Sequence, residues 1–292
     1  MILVLTGATG SGKSELAISL AQDLDGEIIN ADAFQVYREL TIATAAPTEE
    51  MKRQVPHHLY AFVPLTEGYD IAHYQKDCRQ AIGEVLARGK TPILVGGSGL
   101  YLRSALYDYD LSLDTSKVDL RPFEGLSDED LHKKLEELDP IEADKISPNN
   151  RRRVLRDIQI CLAAGESKTA QLAKQTHQPI YPVRFYELDK ERELLYAHAE
   201  ERVEAMFKAG LLEETLPLIE KYGRNAMAFK AIGVKELFPY LDKTATLEET
   251  KNRIKANTRH YIKNQYTWFR HQFPLVSVSS KEAIEKDYEH YR

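Results

Sequence analysis

The 292-residue sequence is poor in the groups that mark specialised protein classes. It holds two cysteines, Cys78 and Cys161, far apart and outside any C-x-x-C or Cys/His cluster. That excludes a disulfide scaffold and a zinc module, and fits a reducing cytosol. No stretch approaches the roughly 20 apolar residues of a membrane span. The apolar start, Met1 to Leu5, runs straight into Thr6-Gly7 and is too short for the apolar region of a signal peptide. There is no internal repeat and no low-complexity tract. A large excess of one charge is missing too: 39 basic against 45 acidic residues leave −6. Taken alone, that sum argues against a nucleic-acid partner, but a net charge carries no positional information. With 43% hydrophobic residues the chain can bury a substantial core without disulfides or structural metals, as about two domains or one domain with a large insertion.

What is present begins with alternating strand and helix signals. Ile2–Leu5 is a short continuous apolar run, the pattern of a strand buried on both faces. Leu16, Ala17, Leu20, Ala21 and Leu24 then share one helical face. Glu27–Asn30 reads as a second strand and His58–Val63 as a third. Ile71–Arg88 reads as a helix closed by Gly89, and Thr91–Val95 as another strand, with Val183–Leu188 returning later. Such alternation predicts an α/β fold, a parallel sheet with helices on both faces. Between about Asp108 and Gln178 the alternation stops, and patches at 128–138 and 150–164 predict a mostly helical inserted subdomain. The domains are therefore 1–107 with 179–292, and 108–178. A helical C-terminal region follows, over 194–209, 211–222, 230–240 and 247–271.

Gly7-Ala8-Thr9-Gly10-Ser11-Gly12-Lys13-Ser14 matches G-x-x-x-x-G-K-[ST] and lies between a strand and a helix. In this P-loop pattern the glycines let backbone N–H groups of Thr9, Gly10, Ser11 and Gly12 curl round a phosphate at the positive end of the helix. Lys13 adds a full charge and Ser14 offers a hydroxyl to Mg²⁺. The pattern points to di- or triphosphate binding on a P-loop NTPase-like sheet and is silent on the fate of the phosphate. Asp32 follows the second strand, at the carboxyl edge where ligands of open α/β sheets collect, and suits a Mg²⁺ ligand, a general base or a turn aspartate. Gly96-Gly97-Ser98-Gly99 follows another strand at that edge and offers flexible backbone and a hydroxyl.

Together these segments resemble the tRNA dimethylallyltransferase (isopentenyl transferase) family. The resemblance runs through Gly7–Ser14, Ala31-Asp32-Ala33-Phe34-Gln35-Val36-Tyr37-Arg38, Thr44-Ala45-Ala46-Pro47, Pro56-His57-His58-Leu59 and Gly96–Leu102. It continues through Asp139-Pro140, Pro148-Asn149-Asn150, Ala231-Ile232-Gly233-Val234-Lys235-Glu236 and Thr267-Trp268-Phe269-Arg270. It implies transfer of a dimethylallyl group from dimethylallyl diphosphate to N6 of the adenosine 3′ of the anticodon in tRNA. Asp32 would then be the general base, with Ser98 at the family's threonine position. Lys13, Ser14 with Mg²⁺, and Arg202, which maps to a family arginine, would hold the departing diphosphate. The resemblance also implies tRNA contacts from Asp32, Ala33, Phe34, Gln35 and Ser98, and a monomeric cytoplasmic enzyme acting on the anticodon stem-loop, with no membrane partner.

Charge placement fits such a partner. Lys145, Arg151, Arg152, Arg153 and Arg156 form one run without an acid, and Lys251, Arg253, Lys255, Arg259, Lys263 and Arg270 form another, interleaved with Tyr261, Tyr266, Trp268 and Phe269. Basic side chains suit phosphates and aromatics stack unpaired bases, so Arg151, Arg152, Arg153, Lys263 and Arg270 are candidate tRNA contacts. From Asp110 to Pro140 ten acids face four basic residues, so the charge is segregated along the chain. The chain departs from the family pattern at Ala33 for serine, Ala43 for glycine, Ala46 for lysine, Asn150 for aspartate and Asn264 for arginine. Its insertion is short before Leu131. A P-loop small-molecule kinase and a catalytically weak RNA-binding relative are the competing readings.

Overall fold

The structure is a computed structural model and describes residues 1–291. Six parallel strands form one sheet in the order β3-β2-β4-β1-β5-β6. They are β1 (Ile2–Thr6), β2 (Gly26–Asn30), β3 (His57–His58), β4 (Thr91–Val95), β5 (Val183–Leu188) and β6 (Leu275–Val278). Every residue of β1, β2 and β4 is buried. That is the condition of central strands covered on both faces, and it explains the mostly apolar runs of β1 and β4, whereas the buried Glu27 of β2 is held by Arg88 and His58. Helix Lys13–Asp23 presents Ala17, Ile18, Leu20 and Ala21 to one face, beside Ile284 and Tyr288 of helix Lys281–Tyr291 and against Leu3, Leu5 and Ile28. Alternation turns Ile2 and Val4 to the other face. Among the helices outside that cluster, Ile71–Ala87 buries Tyr74, which stacks on Tyr101 of helix Gly99–Leu106 at 4.1 Å and donates its hydroxyl proton to Asn30 O at 2.8 Å.

Two expectations are corrected. The third strand, expected over 58–63, is the pair His57–His58, because Leu59 and Ala61 take positive φ of 63° and 49° and turn the chain out of the ladder. The helix expected over 230–240 is broken into short turns, Met227–Lys230, Lys235–Leu237 and Phe238–Leu241. Gly233 sits at φ +98° with its N–H donated to Glu236 Oε2 at 2.8 Å. Pro239, at the start of the last turn, has no N–H for a helix running through it.

The remaining C-terminal helices form as their spacing suggests. Helix Leu247–Gln272 opens with a capping box between Thr246 and Glu249 and buries Ile254, Thr258, Ile262, Gln265 and Phe269 at steps of three and four.

The chain divides into two compact units, Met1–Leu106 with Pro179–Arg292, and Tyr107–Gln178. The second unit is helical, with Leu131, Leu135, Ile146, Val154 and Ile158 as its core. Buried in it are Glu142 and Asp157, bridged by Lys168 Nζ at 3.2 Å and 2.9 Å, with Arg153 on Glu142 at 3.0 Å. Paired in this way, the charges are tolerable inside. Among the described residues, no helix is long and apolar enough to cross a membrane.

Candidate active site

Because all six strands run the same way, the segments after β1, β2, β4 and β5 leave from one edge of the sheet. After β1, Gly7, Gly10 and Gly12 take φ of 141°, 83° and 88°, in the positive range that side chains disfavour. Helix Lys13–Asp23 then starts with no side-chain cap, so its first N–H groups are left for an anion. Lys13 Nζ folds back onto Gly7 O at 2.8 Å and Ala8 O at 2.7 Å. Burial, and then the charge of Arg202, push its pKa down to about 8 against the opposing pull of Asp32. Lys13 keeps some accessible surface because it faces the cleft, while Ser14 is exposed.

At the end of β2 the buried Asn30 organises the turn. Its side chain donates to Asp32 O at 3.0 Å and Leu59 O at 2.9 Å, and accepts from Asp32 N at 2.8 Å. Asp32 Oδ1 accepts from Phe34 N at 2.8 Å and Gln35 N at 3.3 Å, an Asx turn that fixes the carboxylate and leaves Oδ2 for other work. Ser98 Oγ accepts from Ala33 N at 2.9 Å, and Ser98 N donates to Ala31 O at 3.0 Å. The approach is close: a Cβ on Gly96 would stand 2.2 Å from the backbone of Ala31. The segments after β2 and β4 are thereby joined directly beneath Asp32.

Helix Arg192–Lys208 brings in Arg202, whose Nη2 reaches Thr44 O at 3.4 Å. Burial lowers its pKa, and Asp32 opposes that shift. Gln35 Nε2 donates to Thr44 O and Ala45 O, each at 3.0 Å, and so holds the same loop.

Two cavities meet here. One, of about 440 Å³, is lined by Gly10, Gly12, Lys13, Ser14, Lys190 and Arg202 among others. The second, of about 220 Å³, is lined largely by apolar groups such as Ala199, Val203, Met206, Ile232 and Ile254, with Lys230 and Lys235. Thr9, Asp32, Thr44 and Arg202 line both. A cationic chamber opening onto an apolar one, with a carboxylate at the junction, suits a phosphate ester whose reacting carbon lies beyond its phosphates.

The structure thus brings Thr9–Ser14, Asp32–Gln35, Ser98 and Arg202 together. Sequence reasoning missed Gln265. Its Oε1 accepts from Thr9 N at 3.2 Å and its Nε2 donates to Gly97 O at 3.1 Å, tying the phosphate loop to the turn after β4. The available signal was a lone amide in the buried stripe of the long helix.

The basic runs behave differently from their appearance in the sequence. In the inserted unit Arg151 is spent on Asp128 Oδ1 at 2.9 Å and on the carbonyls of Phe123, Glu124 and Leu126, and Arg153 on Glu142. In the core, Lys251 and Lys255 pair with Glu204, and Arg259 with Glu200, both acids coming from helix Arg192–Lys208. Arg270 pairs with buried Glu187 at 3.1 Å and with Asp189 at 3.6 Å. A run without acids in sequence acquires them from a neighbouring element in space. Among the described residues, Arg152 and Lys263 have no such partner and are exposed.

Comparison with known proteins converges on one family. A family model described as IPP transferase matches residues 35–272. A tRNA dimethylallyltransferase of Anoxybacillus flavithermus is 42% identical over 276 residues, covering 94% of this chain and 88% of the relative. One from Rickettsia bellii is 37% identical, covering 98% and 91%. The crystal structure of a tRNA delta(2)-isopentenylpyrophosphate transferase from Staphylococcus epidermidis superposes with a TM-score of 0.74 at 31% identity, over 100% of this chain and 99% of that one. The structure of a eukaryotic dimethylallyltransferase acting on tRNA gives 0.84 at 31% identity, over 94% and 73%.

Proposed function

The chain belongs to the IPP transferase family, and on that premise we propose that it transfers a dimethylallyl group from dimethylallyl diphosphate to N6 of the adenosine 3′ of the anticodon in tRNA. It is a prenyltransferase and tRNA is its substrate. The observation that carries the finer reading is the position of Asp32 and Arg202 in the wall common to the cationic and the apolar cavity.

In this reading the diphosphate lies in the cationic cavity against Lys13 and Arg202, over the amides of Gly10, Gly12 and Lys13, since Thr9 N is held by Gln265 and Ser11 N by Ala8 O. N6 attacks the allylic C1 from the apolar side as the C1–O bond breaks. The electron pair of that bond leaves with the diphosphate, whose growing charge the two cations neutralise. The proton released from N6 passes to Oδ2 of Asp32, the oxygen outside the Asx turn. Ser98 is a positioning residue, holding Ala33 N and through it the turn that carries the carboxylate. Ser14 fits a Mg²⁺ site, since its hydroxyl is exposed at the start of the loop helix and has no protein partner among the described residues. Mg²⁺ bound there would add charge neutralisation to the leaving group, with most of its other ligands phosphate oxygens and water.

The adenine must leave the anticodon-loop stack to reach Asp32, at a cost of a few kcal/mol that is least for an unpaired base. Phe34, Ala33 and Gln35 would line its approach. Arg152 and Lys263, which have no ion pair among the described residues, are free for RNA phosphates, while Arg151, Arg153 and Arg270 contribute through whatever donors their ion pairs leave. Residues 108–178 form the tRNA-binding subdomain in this account, and the chain works as a cytoplasmic monomer. The relatives set the small-molecule kinase reading aside. The test is to incubate an anticodon stem-loop RNA with labelled dimethylallyl diphosphate and Mg²⁺. Label on the base supports the proposal, and ADP formation from ATP without prenylation contradicts it.

A further inference from the structure

The phosphate-loop cavity contains a cation that neither the sequence motifs nor the mechanism above uses. Lys190 lies two residues beyond β5, between that strand and helix Arg192–Lys208, and lines the cavity with Gly10, Gly12, Lys13 and Ser14. A Cβ on Gly12 would stand 3.6 Å from Lys190 Nζ. Gly12 is the residue from which the loop helix starts, so the ammonium sits beside the amides that cradle an anion. Lys13 occupies the other end of the loop, on the carbonyls of Gly7 and Ala8.

Lys190 is also unspent. Among the described residues its Nζ has no hydrogen bond and no ion pair. The adjacent carboxylate does not neutralise it: Asp189 is taken by Arg270 at 3.6 Å and Ser277 Oγ at 3.4 Å. An unpaired ammonium on a flexible four-carbon stem can follow a phosphate as it moves. The two lysines are placed for different phosphates: Lys13 lies deep, near Arg202 and the junction with the apolar cavity, and Lys190 lies at the loop's outer residue.

We propose that Lys190 is a diphosphate ligand that closes on the phosphate distal to the reacting carbon and stays on it in the inorganic diphosphate product. The proposal rests on the reading that this cavity holds a diphosphate. It assigns Lys190 to selectivity for a diphosphate over a monophosphate, because only the former reaches both lysines.

The test uses the full-length protein and calorimetric binding of inorganic diphosphate and inorganic phosphate, with Mg²⁺ held constant. Lys190→Gln is expected to weaken inorganic diphosphate about tenfold and inorganic phosphate by less than twofold. Lys190→Glu should weaken diphosphate further, and Lys190→Arg should stay within about threefold of the parent. The KM for dimethylallyl diphosphate should rise in parallel with kcat nearly unchanged. Lys190 is partly exposed and its neighbours do not depend on it, so all three variants should melt with the parent. If Lys13→Gln loses diphosphate while Lys190→Gln and Lys190→Glu bind it as the parent does, Lys190 is a solvated surface lysine and the proposal falls alone. If the parent binds no diphosphate, or Lys13→Gln binds it unchanged, the reading of the cavity falls and the proposal with it.

Discussion

Arg202 and Lys13 line the same cavity, and the guanidinium joins burial in holding the lysine's pKa down to about 8. The two cations repel, and a bound diphosphate relieves that repulsion. Only the protonated lysine attracts the anion. The part of the affinity for inorganic diphosphate that Lys13 supplies is therefore full below pH 8 and falls as the pH rises through that value, by up to about tenfold per unit. Titration calorimetry across pH 7 to 10 would show the fall, and Lys13→Gln should flatten this component. A parent profile without any break in that range would contradict the assignment.

Asp32 has two jobs that substitution separates. Its Oδ1 closes the Asx turn onto Phe34 N and Gln35 N, and an asparagine oxygen can do the same. Asp32→Asn should keep the fold and bind both substrates while losing about 10²- to 10⁴-fold in kcat. Single-turnover rates measured at saturating substrate would read this directly, and a rate within threefold of the parent would remove Asp32 as the base.

Ser98 supports Asp32 through the backbone at Ala33. Ser98→Ala leaves that N–H unpaired, at a cost of about 1 kcal/mol or more, and loosens the turn. A tenfold loss in kcat with little change in KM is expected. Ser98→Thr, which keeps the hydroxyl, should restore most of it.

Gly96 packs so closely on Ala31 that an added Cβ would fall 2.2 Å from backbone atoms. Gly96→Ala should therefore destabilise the core by about 2 kcal/mol or more, measured by urea denaturation. Gly125→Ala, where a Cβ meets nothing within 4 Å, is the control and should shift stability little.

Much of the core and one half of the site were legible in the sequence because their signals are local. The phosphate loop is eight consecutive residues, and β1 and β4 are mostly apolar runs because both faces are covered. Asp32 and Ser98 could be placed at the ligand edge from strand order alone. The edge strand Leu275–Val278 escaped notice because four residues after a proline carry no pattern until β5 pairs with them. The break at Gly233 was written in the glycine itself, but helical spacing on either side masked it. Gln265 and Lys190 were hidden for a different reason, since each matters only through the loop it meets in space. The same holds for the basic runs: the acids of the first come from Asp128 and Glu142, and those of the second from helix Arg192–Lys208 and from the end of β5.

The most direct test of the central claim is mass spectrometry of nucleosides from an anticodon stem-loop RNA treated with dimethylallyl diphosphate and Mg²⁺. The parent chain should add one C5H8 unit to the adenosine 3′ of the anticodon and release one equivalent of inorganic diphosphate, and Asp32→Asn should form about a hundredth of that product or less in the same time. An unmodified adenosine with the parent chain, or equal product from Asp32→Asn, would contradict the account.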